Sequence, residues 1–181
     1  MKYNWMLTKE TTKYWKKAIK NDRVMVANVD DFLYIVNGYN AFRVPAYPLF
    51  WEELARPAFM IDMPEDGKAV QFMRGEKTEY PAQDVKNLFE RVVSVAEKPV
   101  QRTPLQFDAE KGTTRIYRHE SGQLTFIMAK YDSMIDFAQV DKIASYGVLS
   151  PIVCKNATVA AVLMPIRVPD DKIAELKELF S

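Results

Sequence analysis

The side chains that catalysis most often uses are few in this chain. His119 is the sole histidine and Cys154 the sole cysteine among 181 residues. No serine or cysteine motif around His119 marks it as the base of a nucleophile–base pair. Lys155 follows Cys154 but falls on the opposite face of a regular strand, so it does not activate the thiol. We expect a surface histidine and a buried structural thiol, and assign no catalytic residue.

Metal and cofactor chemistry also lack a pattern. The adjacent acid pairs lie at predicted turns or helix starts, where carboxylates are expected for local reasons. One cysteine cannot form a thiolate cluster within the chain. The sequence contains no Gly-rich phosphate loop and no Gly-x-Ser-x-Gly, Cys-x-x-Cys or His-Glu-x-x-His motif. A non-catalytic protein with no metal and no cofactor is therefore predicted, while an enzyme assembled from distant residues stays open.

A group of lysines near the start of the chain suggests a binding surface. On a helix over residues 8–20 they fall within about a third of the circumference, opposite Trp15, Ala18 and Ile19. Such a face can contact the phosphate backbone of DNA without reading its sequence. A solvated helix face shows the same pattern and is the more common case. The candidate DNA-binding residues are Lys9, Lys13, Lys16, Lys17, Lys20 and Arg23, with Lys2 as a neighbouring contributor.

The elements that would position these residues predict an α+β fold, with helices packed on an antiparallel sheet. A second amphipathic helix is expected over residues 82–97, bracketed by Pro81 and Pro99. Each of the two helices precedes a set of strands, which predicts two related helix-plus-strands halves. The strands after the first helix are expected at residues 23–29, 32–36 and 41–44, and those after the second at 105–108, 113–119 and 123–129.

The rest of the chain is less regular. A helical turn at residues 49–55 and a third helix at 134–144 are expected. Pro169 opens a terminal helix. We assign residues 1–168 to one domain and residues 169–181 to a C-terminal helical extension. Further strands are expected at residues 59–63, 69–73, 150–154 and 158–168.

Composition indicates an ordinary globular protein in the cytoplasm. Nearly half of the residues are apolar, and the formal net charge is only +1. The start of the chain lacks the apolar core of a signal peptide, and the longest apolar run, residues 159–166, is too short to cross a membrane. We expect a cytoplasmic location and no membrane partner.

Three short segments resemble the DNA sliding clamps of the bacterial replicative polymerase. The sequence AVLMPIRV at residues 161–168 is similar to the Val-Met-Pro-Met-Arg-Leu ending of those clamps. Glu-Tyr-Pro at residues 79–81, leading into the second helix, is similar to the strand-Pro-helix entry of a clamp half-domain. Asn-Gly at 37–38 followed by Phe-Arg-Val at 42–44 resembles the clamp sequence Asp-Gly-His-Arg-Leu. The resemblance implies a DNA clamp-like domain.

The resemblance also implies a binding pocket. In the family, the first and third of these segments line an apolar pocket that captures short peptide motifs of polymerases and repair proteins. Ring clamps need several such domains, however, and this chain supplies roughly one, so neither a ring nor a polymerase tether is implied. The implied partner-peptide pocket consists of Gly38, Arg43, Val44, Met164, Pro165, Arg167 and Val168.

The functional hypothesis is a non-catalytic binding protein with a clamp-like fold. It would bind the DNA backbone through the lysine-rich helix and a partner peptide through the apolar pocket. One alternative is a protein-interaction or self-assembly module with no role at nucleic acids. The other is an enzyme of unrecognised type. The oligomeric state is left open by the sequence.

Overall fold

An eleven-stranded sheet forms the centre of the fold. The structure, a computed structural model, describes residues 5–180, and over these residues every strand pair is antiparallel. The predicted α+β class is therefore confirmed. The strand order is β5-β4-β1-β2-β3-β11-β10-β9-β6-β7-β8. The strands are β1 Arg23–Val29, β2 Phe32–Asn37, β3 Asn40–Pro45, β4 Lys68–Met73, β5 Glu76–Pro81, β6 Lys98–Ala109, β7 Gly112–His119, β8 Leu124–Met128, β9 Lys142–Ser145, β10 Ile152–Lys155 and β11 Ala160–Leu163.

Two long helices each precede three consecutive strands, as the sequence predicts. The first is followed by β1 to β3 and the second by β6 to β8. Over residues 5–180 no helix is long and apolar enough to cross a membrane. The helices are α1 Lys9–Asn21, α2 Pro48–Phe50, a π-helical turn Trp51–Ala55, α3 Arg56–Phe59, α4 Gln83–Val95, α5 Ala129–Asp132 and α6 Asp170–Glu178.

The two faces of the sheet are covered by different helices. Val24 and Val26 of β1 belong to the core under α1, together with Trp15. Met25 and Ala27 alternate with them and point to the core under α4. Strand β1 is thus buried on both sides, and its apolar run is continuous rather than alternating.

Tight two-residue turns set the register of two hairpins. Asp30 and Asp31, between β1 and β2, have φ of 50° and 64°, and Arg74 and Gly75, between β4 and β5, have φ of 52° and 86°. Left-handed conformations at both central residues are those of a type I′ turn, whose twist matches that of paired strands. The pairs Val29↔Phe32 and Met73↔Glu76 close the two hairpins.

The strand predicted at residues 59–63 is wrong. Phe59 instead ends α3, and Met60 follows in the left-handed conformation, with φ of 55°. Pro57 has no N–H to donate, and the π-helical turn just before it lets the backbone stay helical. Phe59 then packs between Trp15 and Trp51 under the sheet.

The helix predicted at residues 134–144 is also wrong. A single 3-10 turn, Phe137–Gln139, stands there, followed by β9. The Asp136 side chain accepts a hydrogen bond from the N–H of Ala138 and caps this turn. Strand β9 forms because β10 and β6 flank it, which is a tertiary reason that local spacing does not show.

The last strand is shorter than predicted, and the terminal helix packs on the sheet. Strand β11 ends at Leu163, and the chain then crosses to β8, where the N–H of Ile166 donates to the carbonyl of Phe126 at 2.9 Å. Helix α6 buries Leu176 against Phe126 and its neighbours. The division into a domain and a helical extension stays a prediction.

Candidate functional site

An apolar groove lies between α4 and one end of the sheet. Its volume is about 550 Å³. Arg23 and Asp84 are the charged residues in its wall. Residues from the start of β1, the end of β2, helix α4 and the end of β11 supply the apolar lining, including Met25, Val36, Val85, Leu88, Val162 and Met164.

The groove exists because α4 covers the sheet unevenly. Phe89 and Val93 are buried against the strands and anchor the helix. Leu88, one residue from Phe89 in sequence, is 64% exposed on the helix surface, and Met164 is 40% exposed at the end of the sheet. The two large apolar side chains thus stand in solvent around an opening that no side chain of the described residues fills.

Two of the seven predicted pocket residues line this groove. Gly38 lies in the turn between β2 and β3, and the space where a Cβ would stand is open. Met164 follows β11, and its N–H donates to the carbonyl of Tyr39 at 3.0 Å, which ties the two segments together. The structure therefore brings the first and last segments of the predicted pocket to one place.

Arg43 has a different role in the structure. Its Nη1 donates to both carboxylate oxygens of Glu90 on α4, at 3.0 and 3.2 Å, and its guanidinium lies 5.2 Å from the centre of the Phe32 ring. The hydroxyl of Tyr34 donates to the same carboxylate at 3.0 Å. Burial, with the Glu90 carboxylate next, raises the pKa of Tyr34. These contacts fasten α4 to the sheet beside the groove.

The other four predicted pocket residues lie away from the groove. Val44 is fully buried in the core on the α1 side of the sheet. Val168 packs beside α6. Pro165 and Arg167 lie in the segment that crosses to β8, where Arg167 is exposed and Pro165 half-buried. The structure does not bring these four side chains together with Gly38 and Met164.

The five predicted lysines share the solvent face of α1. Lys9, Lys13, Lys16, Lys17 and Lys20 are all exposed, while Trp15 and Ala18 are buried beneath the helix. Lys13 pairs with Glu10 at 2.5 Å, an exposed pair of small energetic value. Within the described residues, the other four lysines of α1 form no salt bridge.

Arg23 does not join the lysine face. It lines the groove on the α4 side of the sheet, and its Nε donates to Oε1 of Gln71 at 2.5 Å. Lys2, the remaining contributor suggested by the sequence, lies outside the described residues.

A buried ionic cluster around Asp132 was missed by the sequence interpretation. Asp132 is 2% exposed, and its carboxylate accepts hydrogen bonds from Arg102 at 2.8 and 2.5 Å and from the Tyr117 hydroxyl at 2.6 Å. Arg115 approaches it at 3.4 Å. The bond to Asp132 raises the pKa of Arg102, and burial raises the pKa of Tyr117. Both shifts keep the cluster in its present charge state.

His119 and Cys154 occupy structural positions. Thr125 donates its hydroxyl to the carbonyl of Val148 at 2.5 Å, so Nε2–H of His119 donates to the Thr125 oxygen at 2.8 Å. Burial, and then the nearby charge of Lys98, lower the pKa of His119. Burial raises the pKa of the Cys154 thiol, as expected of an inert buried cysteine. His119 is buried rather than on the surface, which corrects the sequence expectation.

The part of the chain that the structure describes contains no candidate metal site. No group of three or more histidine, cysteine, aspartate or glutamate side chains comes together there in a way that could hold an ion. The carboxylate of Asp132 is already engaged by guanidinium and hydroxyl donors. The arrangement around the groove can bind an apolar ligand, and the face of α1 can contact a polyanion.

Among the comparisons with known proteins, only the search of solved structures gives matches. Neither a protein-family model nor a curated protein sequence matches the chain. Four solved chains match, and one is a crystal structure from Eubacterium rectale ATCC 33656 described provisionally as a DNA polymerase III beta subunit. The match has a TM-score of 0.33 and 7% sequence identity, and covers 88% of this chain and 64% of that one.

That description belongs to the solved protein alone. This chain spans less than two thirds of its length. A likeness at this TM-score assigns neither a family nor a function to this chain, whose α+β class rests on its own sheet and helices.

Proposed function

We propose that this chain is a non-catalytic binding protein whose groove beneath α4 takes the apolar side chains of a partner peptide. The observation that carries the proposal is the open apolar groove with Leu88 and Met164 exposed at its rim. Apolar surface that a partner removes from water contributes roughly 25 cal/mol per Å² to the free energy of association, before the cost of ordering. Grooves of this kind mark binding sites more often than bare surface does.

The size and lining of the groove favour a peptide with a large aliphatic or aromatic side chain. Its volume of about 550 Å³ accommodates one or two such side chains. Arg23 and Asp84 place one charge of each sign in its wall. A charged residue of either sign that flanks the apolar side chain of the peptide can therefore pair with one of them. Because Leu88 stands open to solvent, the groove suits a side chain presented by a longer chain rather than an enclosed small molecule.

The test uses methionine methyl groups as reporters in NMR spectra of the ¹³C-methyl-methionine protein. The probes are synthetic Gly/Ser peptides that carry a Leu or Phe pair, and a Gly/Ser peptide without them is the control. We expect the Leu and Phe peptides to shift the methyl resonances of Met25 and Met164, which line the groove, and to leave that of Met60, 83% exposed and outside the groove, in place.

A matched pair of variants distinguishes binding in the groove from non-specific hydrophobic binding. Leu88→Glu introduces a charge at the rim and should abolish the shift of Met25. Leu179→Glu changes a similarly exposed leucine directly after α6, 63% exposed, and should leave the shift intact. Equal shifts in the Leu88→Glu protein, or shifts spread over all the methionines, would contradict the proposal.

We propose, second, that the lysine face of α1 binds the phosphate backbone of DNA. This proposal is supported by the five exposed lysines of the helix, four of which form no salt bridge within the described residues. A face of this charge attracts phosphates independently of base sequence, and displaces condensed counterions when it binds. Arg23, on the α4 side of the sheet, is left out of this surface.

Fluorescence anisotropy of labelled duplex and single-stranded DNA at two salt concentrations tests the second proposal. We expect binding at low salt that weakens steeply as salt rises. Changing Lys13, Lys16, Lys17 and Lys20 to glutamate should abolish it.

The matched control changes four exposed lysines elsewhere, Lys68, Lys111, Lys142 and Lys177, to glutamate. It has the same net charge and should retain most of the binding. Loss of binding in both variants would reduce the effect to net charge. Absence of binding at low salt would exclude the lysine face as a DNA surface.

A further inference from the structure

We propose that the outer edge of β5 is an interface at which two copies of this chain join their sheets. The inference concerns self-association, and depends neither on the groove nor on the lysine face. It rests on the state of the two edges of the sheet and on the order of charges along β5.

The two edges of the sheet differ in how they are covered. At β8 the N–H of Ile166 donates to the carbonyl of Phe126, and the hydroxyl of Thr125 donates to the carbonyl of Val148. Strand β5 is the other terminal strand, paired along six residues with β4 on one side only. Among residues 5–180 no strand pairs with its other side, and all six of its residues are exposed. Its outward N–H and C=O groups are therefore available to another strand.

The sequence of β5 is complementary to itself in one antiparallel register. If Thr78 faces Thr78 of a second copy, Lys77 of each copy faces Glu79 of the other, and the charge pair occurs twice. Opposite charges and threonine pairs directly across antiparallel strands are stabilising. A shift by one residue removes both charge pairs, and in one direction sets Glu76 opposite Glu79, where like charges repel. The charges of this edge therefore select a second copy of the same strand and one register.

Apolar side chains beside the edge add contact area. Tyr80 is 41% exposed and Met73 is 47% exposed. Met73 pairs with Glu76 in the β4–β5 ladder, and Tyr80 lies an even number of residues from Glu76, so all three side chains share one face of the sheet. A six-residue edge is small for a protein interface, and the dimer should therefore form only at high protein concentration.

Sedimentation velocity over a wide concentration series tests the interface with charge swaps. We expect the unmodified chain to show a reversible monomer–dimer equilibrium. Lys77→Glu and Glu79→Lys each set like charges opposite one another twice, and each should weaken the dimer by at least about tenfold. The double variant Lys77→Glu/Glu79→Lys restores both pairs and should dimerise like the unmodified chain. Lys111→Glu, in the exposed β6–β7 turn, is the matched control and should change nothing.

A mixture of the two single variants gives an independent outcome. Each alone is self-repelling, but one copy of each supplies glutamates opposite lysines at both positions, so the mixture should form heterodimers. A chain that stays monomeric throughout the series overturns the proposal, as does a Lys77→Glu protein that dimerises like the unmodified one. Matching circular dichroism melts confirm that the variants remain folded, because both side chains are exposed.

Discussion

At the scale of single residues, Asp132 balances two guanidinium groups that would otherwise lose their counter-charge. Arg102 and Arg115 are 27% and 13% exposed at their side chains, so water screens them only in part. A buried ion pair adds modest net stability when intact, but removing one partner leaves an uncompensated charge. The cluster is therefore a point where a small chemical change has a large effect.

Replacing Asp132 with asparagine keeps the shape of the side chain and removes its charge. We expect the free energy of unfolding to fall by about 3 kcal/mol, within the range seen when one partner of a buried pair is lost. Urea denaturation measures the change. Asp141→Asn, at an exposed position, is the control and should stay within about 0.5 kcal/mol of the unmodified protein. A loss below about 1 kcal/mol in Asp132→Asn would show that the cluster is better solvated than the structure indicates.

His119 gives the stability of the protein a pH dependence of defined sign. Its pKa is lowered in the folded chain from the ordinary value of 6.5, so the unfolded chain binds the proton more readily. The contribution of the neutral His119 ring to the free energy of unfolding is complete above about pH 6.5 and is lost as the pH falls below that value. Ordinary carboxylates titrate near pH 4, so their protonation changes the stability only at lower pH than that of His119.

Replacing His119 with glutamine tests this sign. The glutamine amide can still donate to Thr125, but does not titrate. We expect the unmodified protein to lose stability between about pH 7 and pH 5.5, and the His119→Gln protein to show a flatter profile. Urea unfolding at a series of pH values measures both. Parallel profiles in the two proteins would assign the pH dependence to other groups.

At the scale of elements, the hairpin turn between β1 and β2 fixes the register of these two paired strands. Asp31 has a φ of 64°, where a β-branched residue is strained. We expect Asp31→Val to destabilise the protein by about 1–2 kcal/mol, and Asp31→Gly to be nearly neutral because glycine adopts this conformation freely. Thermal unfolding of the two variants compares them directly. Equal losses in both would mean that the aspartate side chain, rather than the backbone, stabilises the turn.

The sequence predicts the elements whose signals are local. Helix α1 begins after Thr8, whose side chain accepts from the N–H of Glu10, and β1 has the predicted bounds. Strand β9 was missed because its neighbours β6 and β10 lie elsewhere in the chain. Apolar residues at 59–63 fit a strand or a buried helix equally well, and only the packing of Phe59 decides between them.

In the candidate site, too, residues with a local sequence signal were predicted and residues placed by tertiary packing were missed. Gly38 and Met164 were predicted through a resemblance of short segments, and both line the groove. Leu88 was missed as a rim residue, because the spacing of the α4 stripe shows which face is apolar but not how far the sheet beneath it extends. Asp132 and Arg102 are thirty residues apart, so no local sequence pattern predicts the ionic cluster that they form.

At the scale of the whole molecule, the sheet separates the two surfaces proposed for binding. The groove lies on the α4 side, and the lysines of α1 lie on the other. The net charge of +1 conceals this asymmetry, since the basic helix is offset by acids elsewhere. Neither surface shares a residue with the other once Arg23 is placed in the groove, so each set of variants reports on one surface alone.

The pairing of β3 with β11 has a consequence for how the chain folds. It joins Phe42 to Ala161, residues far apart in the sequence, across the middle of the sheet. Closing so long a loop is entropically unfavourable and slows folding, since little is gained until the distant strands meet. During synthesis the first five strands emerge well before β11, and the edge of β3 remains open until then. In a nascent chain that edge is a site where chaperones could bind or where aggregation could begin.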